Sequence, residues 1–114
     1  MLTVEKLIAY GADTAAGLAR CMNNEVFYLR LVGKEAADAN LGRLREAMAA
    51  GDMKAAFEAA HAIKGAAGNL GLTPIYAPTS EQTELLRGAE DPVADGGLTQ
   101  KIENAFADLQ KAAE

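Results

Sequence analysis

The chain has 114 residues and a mass of 11.9 kDa, half of them hydrophobic and 24% charged, which gives a single domain (1–114) and excludes a disordered chain. Its 11 basic and 16 acidic residues leave a net charge of -5, and with no Lys/Arg cluster neither a nucleic-acid surface nor a basic membrane-surface helix is expected. One cysteine, Cys21, and one histidine, His61, exclude an internal disulfide framework, a Cys-based zinc site and a multi-histidine metal centre.

Alanine occurs 25 times. It is the best helix former and lets helices approach closely without large side chains. β-branched residues are sparse and no strand-length alternation stands out, so the expected class is all-α. Thr3 to Ala9 reads as a short helix ending before Gly11. Asp13 is a good N-cap for a second, Thr14 to Cys21. Asn23 or Asn24 caps a long helix running to about Ala50, with Phe27, Leu31, Leu41, Leu44 and Met48 on its apolar face. Gly51-Asp52 breaks it, and the next helix runs from Met53 to Leu70, stopping at Gly71.

Thr73-Pro74 then reads as a cap and a first-turn proline. Pro78, one turn later, either kinks this helix or restarts it. It continues through Leu85 and Leu86 to Gly88. Ala89 to Gly97 is a loop, and Leu98, Ile102, Phe106 and Leu109 mark a last amphipathic helix. Short connections favour antiparallel neighbours. The expected architecture is an up-down-up-down antiparallel four-helix bundle with short N-terminal helices.

The informative stretch is His61-Ala62-Ile63-Lys64-Gly65-Ala66-Ala67-Gly68-Asn69-Leu70-Gly71. On a helical wheel Met53, Ala56, Phe57, Ala60, Ile63, Ala67 and Leu70 share one arc, the core face. His61 falls beside that arc, with Lys64, Gly65 and Gly68 around it. Each interior glycine costs about 1 kcal/mol relative to alanine. A surface that admits another protein's backbone close to His61 explains both Gly65 and Gly68 and is the favoured reading; close helix packing is the alternative, with more force for Gly68 than for Gly65. Imidazole titrates near pH 6.5, and its neutral form is a nucleophile able to accept a phosphoryl group. Lys64 supplies a flexible positive charge for the phosphoryl oxygens.

His61-Ala62-Ile63-Lys64-Gly65, followed six residues on by Gly71, resembles the histidine-containing phosphotransfer (HPt) domain pattern. The resemblance extends to length, helix order and the placing of the histidine on the second long helix. It implies a phosphorelay carrier: His61 takes phosphate from a receiver-domain aspartate and passes it to another receiver. Lys64 steadies the phosphoryl group and Gly65 clears room for the partner. Receiver domains and a hybrid histidine kinase are the implied partners. Mg²⁺ is expected on the receiver only, with no metal or cofactor on this chain, which is expected to be monomeric. The resemblance also implies a regular apolar pattern in the helix after the motif, which Pro78 and Gln82 interrupt.

Two other readings are open. A histidine kinase dimerisation helix carries an acidic residue directly after its histidine, where Ala62 stands. An adaptor bundle would bind receiver or kinase domains with His61 unused. If the helices flanking Gly51-Asp52 fold back on each other, residue 61 lies level with about residue 42. Gly42, Asp38 and Arg45 are then expected to flank His61 and touch receivers. Glu81 and Glu84 read as a solvated pair. Glu5 and Lys6, Lys34 and Glu35, and Glu103 read as ordinary exposed charge. No apolar run approaches the roughly 20 residues of a membrane span. Met1 to Tyr10 includes Glu5 and no small-residue cleavage site, so the expected location is cytoplasmic, with Cys21 a reduced, buried thiol.

Overall fold

A computed structural model describes all 114 residues. It contains seven α-helices and no strand: α1 (Val4–Tyr10), α2 (Thr14–Arg20), α3 (Glu25–Glu35), α4 (Asn40–Ala50), α5 (Met53–Asn69), α6 (Thr73–Leu86) and α7 (Leu98–Ala113). Side-chain caps set four of the starts. Thr3 accepts from the Lys6 amide, Asp13 from Ala16, Asn24 from Phe27 and Asp52 from Ala55. Each relieves one of the amides that a helix start leaves unpaired.

The expected long helix from residue 24 to 50 is two helices. The chain tightens after Glu35, where the Ala37 and Asp38 amides reach back only three residues, to Lys34 and Glu35. The Asp38 carboxylate then accepts from the Asn40 amide at 2.9 Å and starts α4. No glycine or proline marks this break. Separate helices can turn different faces inward. Tyr28 and Val32 are buried on α3, and Leu44 and Ala47 on α4, while Phe27 stays 43% exposed. The apolar face expected from Phe27 and Leu31 is therefore displaced by one residue.

The remaining boundaries lie close to expectation. Gly51 adopts a left-handed conformation (φ 74°) and turns the chain from α4 into α5. Leu72 rather than Thr73 is the N-cap of α6, with Pro74 in the first turn. Pro78 lies inside a continuous α6 and does not restart it. As the sixth residue of α6 it has no amide to donate to the Pro74 carbonyl, so one interior helix bond is forfeited without ending the helix. Gln82 is fully buried and donates to Asp95 at 3.0 Å and Thr99 at 2.8 Å, tying α6 to the start of α7. Burial would push the Asp95 carboxyl up, but hydrogen bonds from Thr99 and from the Gly97 and Leu98 amides hold it below the usual range.

Helix α4 packs on α5, α5 on α6 and α6 on α7, while α7 also touches α4 and α1. The result is an all-helical bundle. Helix α5 puts Met53, Ala56, Ala59, Ala60, Ile63 and Ala67 into the core against Leu44, Ile75, Leu86, Ile102, Phe106 and Leu109. The N-terminal pair is fastened at the far end of α5. There the Asp13 amide donates to the Gly71 carbonyl at 2.7 Å and the Tyr28 hydroxyl to the Leu70 carbonyl at 2.9 Å. Gly71 has φ 71°, and a Cβ there would strike the Asp13 carbonyl, so only glycine fits. Cys21 is a free, buried thiol. No helix is long and apolar enough to cross a membrane.

Candidate functional site

Helix α5 carries the site. Asp52 caps its start, and the Arg20 guanidinium donates to the Gly68 and Asn69 carbonyls at its end, at 2.9 and 3.4 Å. Small alanines bury one face, so the helix sits close to its neighbours with a full flank left outside. His61 is exposed on that flank. Its imidazole stacks on Phe57, one turn earlier, with ring centroids 5.8 Å apart and planes 14° from parallel. That separation lies within the range of attractive offset stacking. The Arg87 guanidinium, at the end of α6, covers the Phe57 ring at 5.2 Å from its centroid. Arg87 is itself held by Glu84 through two N–H···O bonds of 3.3 and 3.0 Å.

Lys64 is half-buried, three residues after His61. Its ammonium charge reaches α6. Glu84 is held below the usual carboxylate range chiefly by the hydrogen bonds and charge of Arg87, with Lys64 adding to the effect from further off. No salt bridge within 4.0 Å ties Lys64 down. Two cations, Lys64 on α5 and Arg87 at the end of α6, thus act on the Glu84 carboxylate, Arg87 by direct contact and Lys64 from a distance. No three His, Cys, Asp or Glu side chains gather into a metal-binding group.

The glycines divide. A Cβ on Gly65 would meet nothing within 4 Å, so the surface beside His61 is open there. A Cβ on Gly68 would lie 3.0 Å from the Tyr76 ring, so that space is taken by this chain's own side chain. Close packing, rather than room for a partner, accounts for Gly68. Gly42 is also open, and Arg45 is engaged with α7. Arg45 pairs with Glu103 on α7 at 3.1 Å. The groove between α4 and α5 is lined from α5 by Ala55, Glu58 and Ala59, the flank away from Phe57. Which side of α5 receives α4 is a matter of azimuth that spacing alone does not carry.

Two charges read as ordinary surface are otherwise placed. Glu103 is the partner of Arg45, and Glu35 is buried with one carboxylate oxygen unpartnered. Phe57, Arg87 and Glu84 are site residues that sequence reasoning did not find. Phe57 stands one turn before His61, and that i, i+4 spacing was the available signal. Arg87 comes from another helix, and nothing in the local pattern points to it.

With this geometry in place, residues 29–112 match the family model of the Hpt domain. The chain belongs to the Hpt domain family. Hpt domains are phosphotransfer carriers of two-component phosphorelays, and they interact with receiver domains and kinases. The match begins inside α3, so α1 and α2 lie outside it. No curated protein and no solved structure gives a significant match.

Proposed function

We propose that His61 is the phosphoacceptor of this carrier, taking a phosphoryl group from a receiver-domain aspartate and handing it to a second receiver. The observation that carries the reading is the exposed imidazole on α5, flanked by the open surface at Gly65 and by the unpaired Lys64 ammonium. A neutral imidazole nitrogen attacks the phosphorus of the aspartyl phosphate. An N–P bond forms as the acyl P–O bond breaks, and the electron pair leaves with the aspartate carboxylate. The other imidazole nitrogen keeps its proton. Lys64 compensates charge on the phosphoryl oxygens. The return transfer reverses these bonds on the next receiver.

In this reading α4 to α7 run up and down as an antiparallel bundle, and the carrier acts as a cytoplasmic monomer. A hybrid histidine kinase supplies the first receiver, Mg²⁺ belongs to the receiver, and this chain uses no cofactor. The test is incubation of the purified protein with phosphorylated receivers. Acid-labile, base-stable phosphate is expected on the wild type and none on His61→Gln, with helicity unchanged. Receiver binding without any label on the wild type would instead make the bundle an adaptor.

A further inference from the structure

Phe57 has no role in the reaction just described, yet it is the side chain in direct contact with the imidazole. It is half-buried and packs against the core from below. Its ring meets two partners, the His61 imidazole at 5.8 Å and the Arg87 guanidinium at 5.2 Å. Arg87 is joined to Glu84 by two N–H···O bonds, an exposed pair that biases the guanidinium toward this place. The three side chains therefore form a cluster drawn from two helices, with the Phe57 ring common to both contacts and the imidazole exposed. A lone surface histidine samples several rotamers; one resting on an anchored ring pays less to reach a reactive orientation.

We infer that Phe57 is a positioning residue for phosphoryl transfer, its ring, pinned by Arg87, holding the His61 imidazole in a single orientation toward the incoming phosphorus. The inference rests on His61 being the phosphoacceptor. The stack limits the imidazole's rotation about both side-chain torsions and leaves its outer edge to the partner. Glu84 acts one step further out, by keeping Arg87 on the Phe57 ring.

The experiment separates positioning from receiver docking by using two phosphodonors on the full chain. One is a phosphorylated receiver. The other is phosphoramidate, whose P–N bond breaks to release ammonia as the imidazole N–P bond forms. Phe57→Leu keeps an apolar side chain of similar bulk and is expected to slow labelling of His61 by both donors, by about tenfold. Phe57→Tyr should restore both rates. Arg87→Gln, at an exposed position, should slow both in the same direction without touching the core. In proton NMR the His61 ring signals should lose the upfield ring-current shift in Phe57→Leu and regain it in Phe57→Tyr. Circular dichroism and thermal melting verify that each variant is folded. Equal rates for wild type and folded Phe57→Leu with phosphoramidate would overturn the inference, as would a failure of Phe57→Tyr to restore them. A wild type that phosphoramidate labels on His61 but no receiver does would sink the relay reading, while the Phe57 comparison would still be decided.

Discussion

The Tyr28 hydroxyl donates to the Leu70 carbonyl at 2.9 Å, and both groups are buried. This bond joins α3 to the residue that ends the His61 helix. Burial is the main cause pushing the Tyr28 phenol up, so it stays a donor. Tyr28→Phe removes the donor and strands the carbonyl. The expected loss is about 1–2 kcal/mol of unfolding free energy, read as a lower urea midpoint. The transfer rate should not change, since His61 lies about 14 Å further down the helix.

Gly65→Ala separates what a glycine costs from what it permits. Nothing in the chain opposes the added methyl group. Unfolding free energy should rise by about 1 kcal/mol, the difference in helix propensity. Transfer from a receiver should slow, because the methyl projects where the partner's backbone approaches. Gly68→Ala should gain less stability, since its methyl must displace the Tyr76 ring. A faster or unchanged transfer rate in Gly65→Ala would remove the partner-clearance role.

Lys64→Ala should slow transfer to and from receivers while circular dichroism stays at the wild-type level. Lys64→Arg should recover part of the rate, since the charge is kept but its shape and reach differ. Loss of helicity in Lys64→Ala would show that the lysine stem is a packing element.

Glu35 gives the fold a pH dependence. Burial first, and the neighbouring Asp38 second, push its carboxyl up to about 9. An unfolded glutamate titrates near about 4.3. Between these values the folded state holds a proton that the unfolded state has released, so stability falls as pH rises through this window. It is fully present below the lower value and lost through the upper one. Glu35→Gln removes the ionisation. Its urea midpoint should exceed the wild type's at pH 8 and approach it at pH 5; a parallel offset at both pH values would contradict the assignment.

Arg45→Ala should leave phosphotransfer unchanged across several receivers, because Arg45 faces Glu103 on α7 rather than His61. With both partners partly exposed, the stability cost should be at most about 1 kcal/mol.

Caps and breakers make most helix ends readable: Asp13 and Asp52 cap as expected, Asn24 is the cap of the two asparagines offered, and Gly51-Asp52 turns the chain, while Thr3, read as the first helical residue, is the cap ahead of α1. The break between Glu35 and Asn40 was not readable, because alanine and aspartate there carry no strong signal against a helix and the turn is decided by what α3 and α4 pack on. The motif on α5 placed His61 and Lys64 on one flank, since wheel geometry depends only on spacing. Arg87 and Tyr76 lay beyond reach for the opposite reason. Each arrives from a different helix, and the contact depends on interhelical register. The burial of Glu35 is illegible in the sequence for the same reason as the break, since it follows from the bend after α3.

The buried face of α5 is made largely of alanine, and Ala56, Ala60 and Ala67 have no exposed surface. Methyl groups packed at core density resist sliding and rolling of the helix. His61 is thus mounted on a stiff post. On the proposed relay, donor and acceptor receivers then meet the same outline at His61.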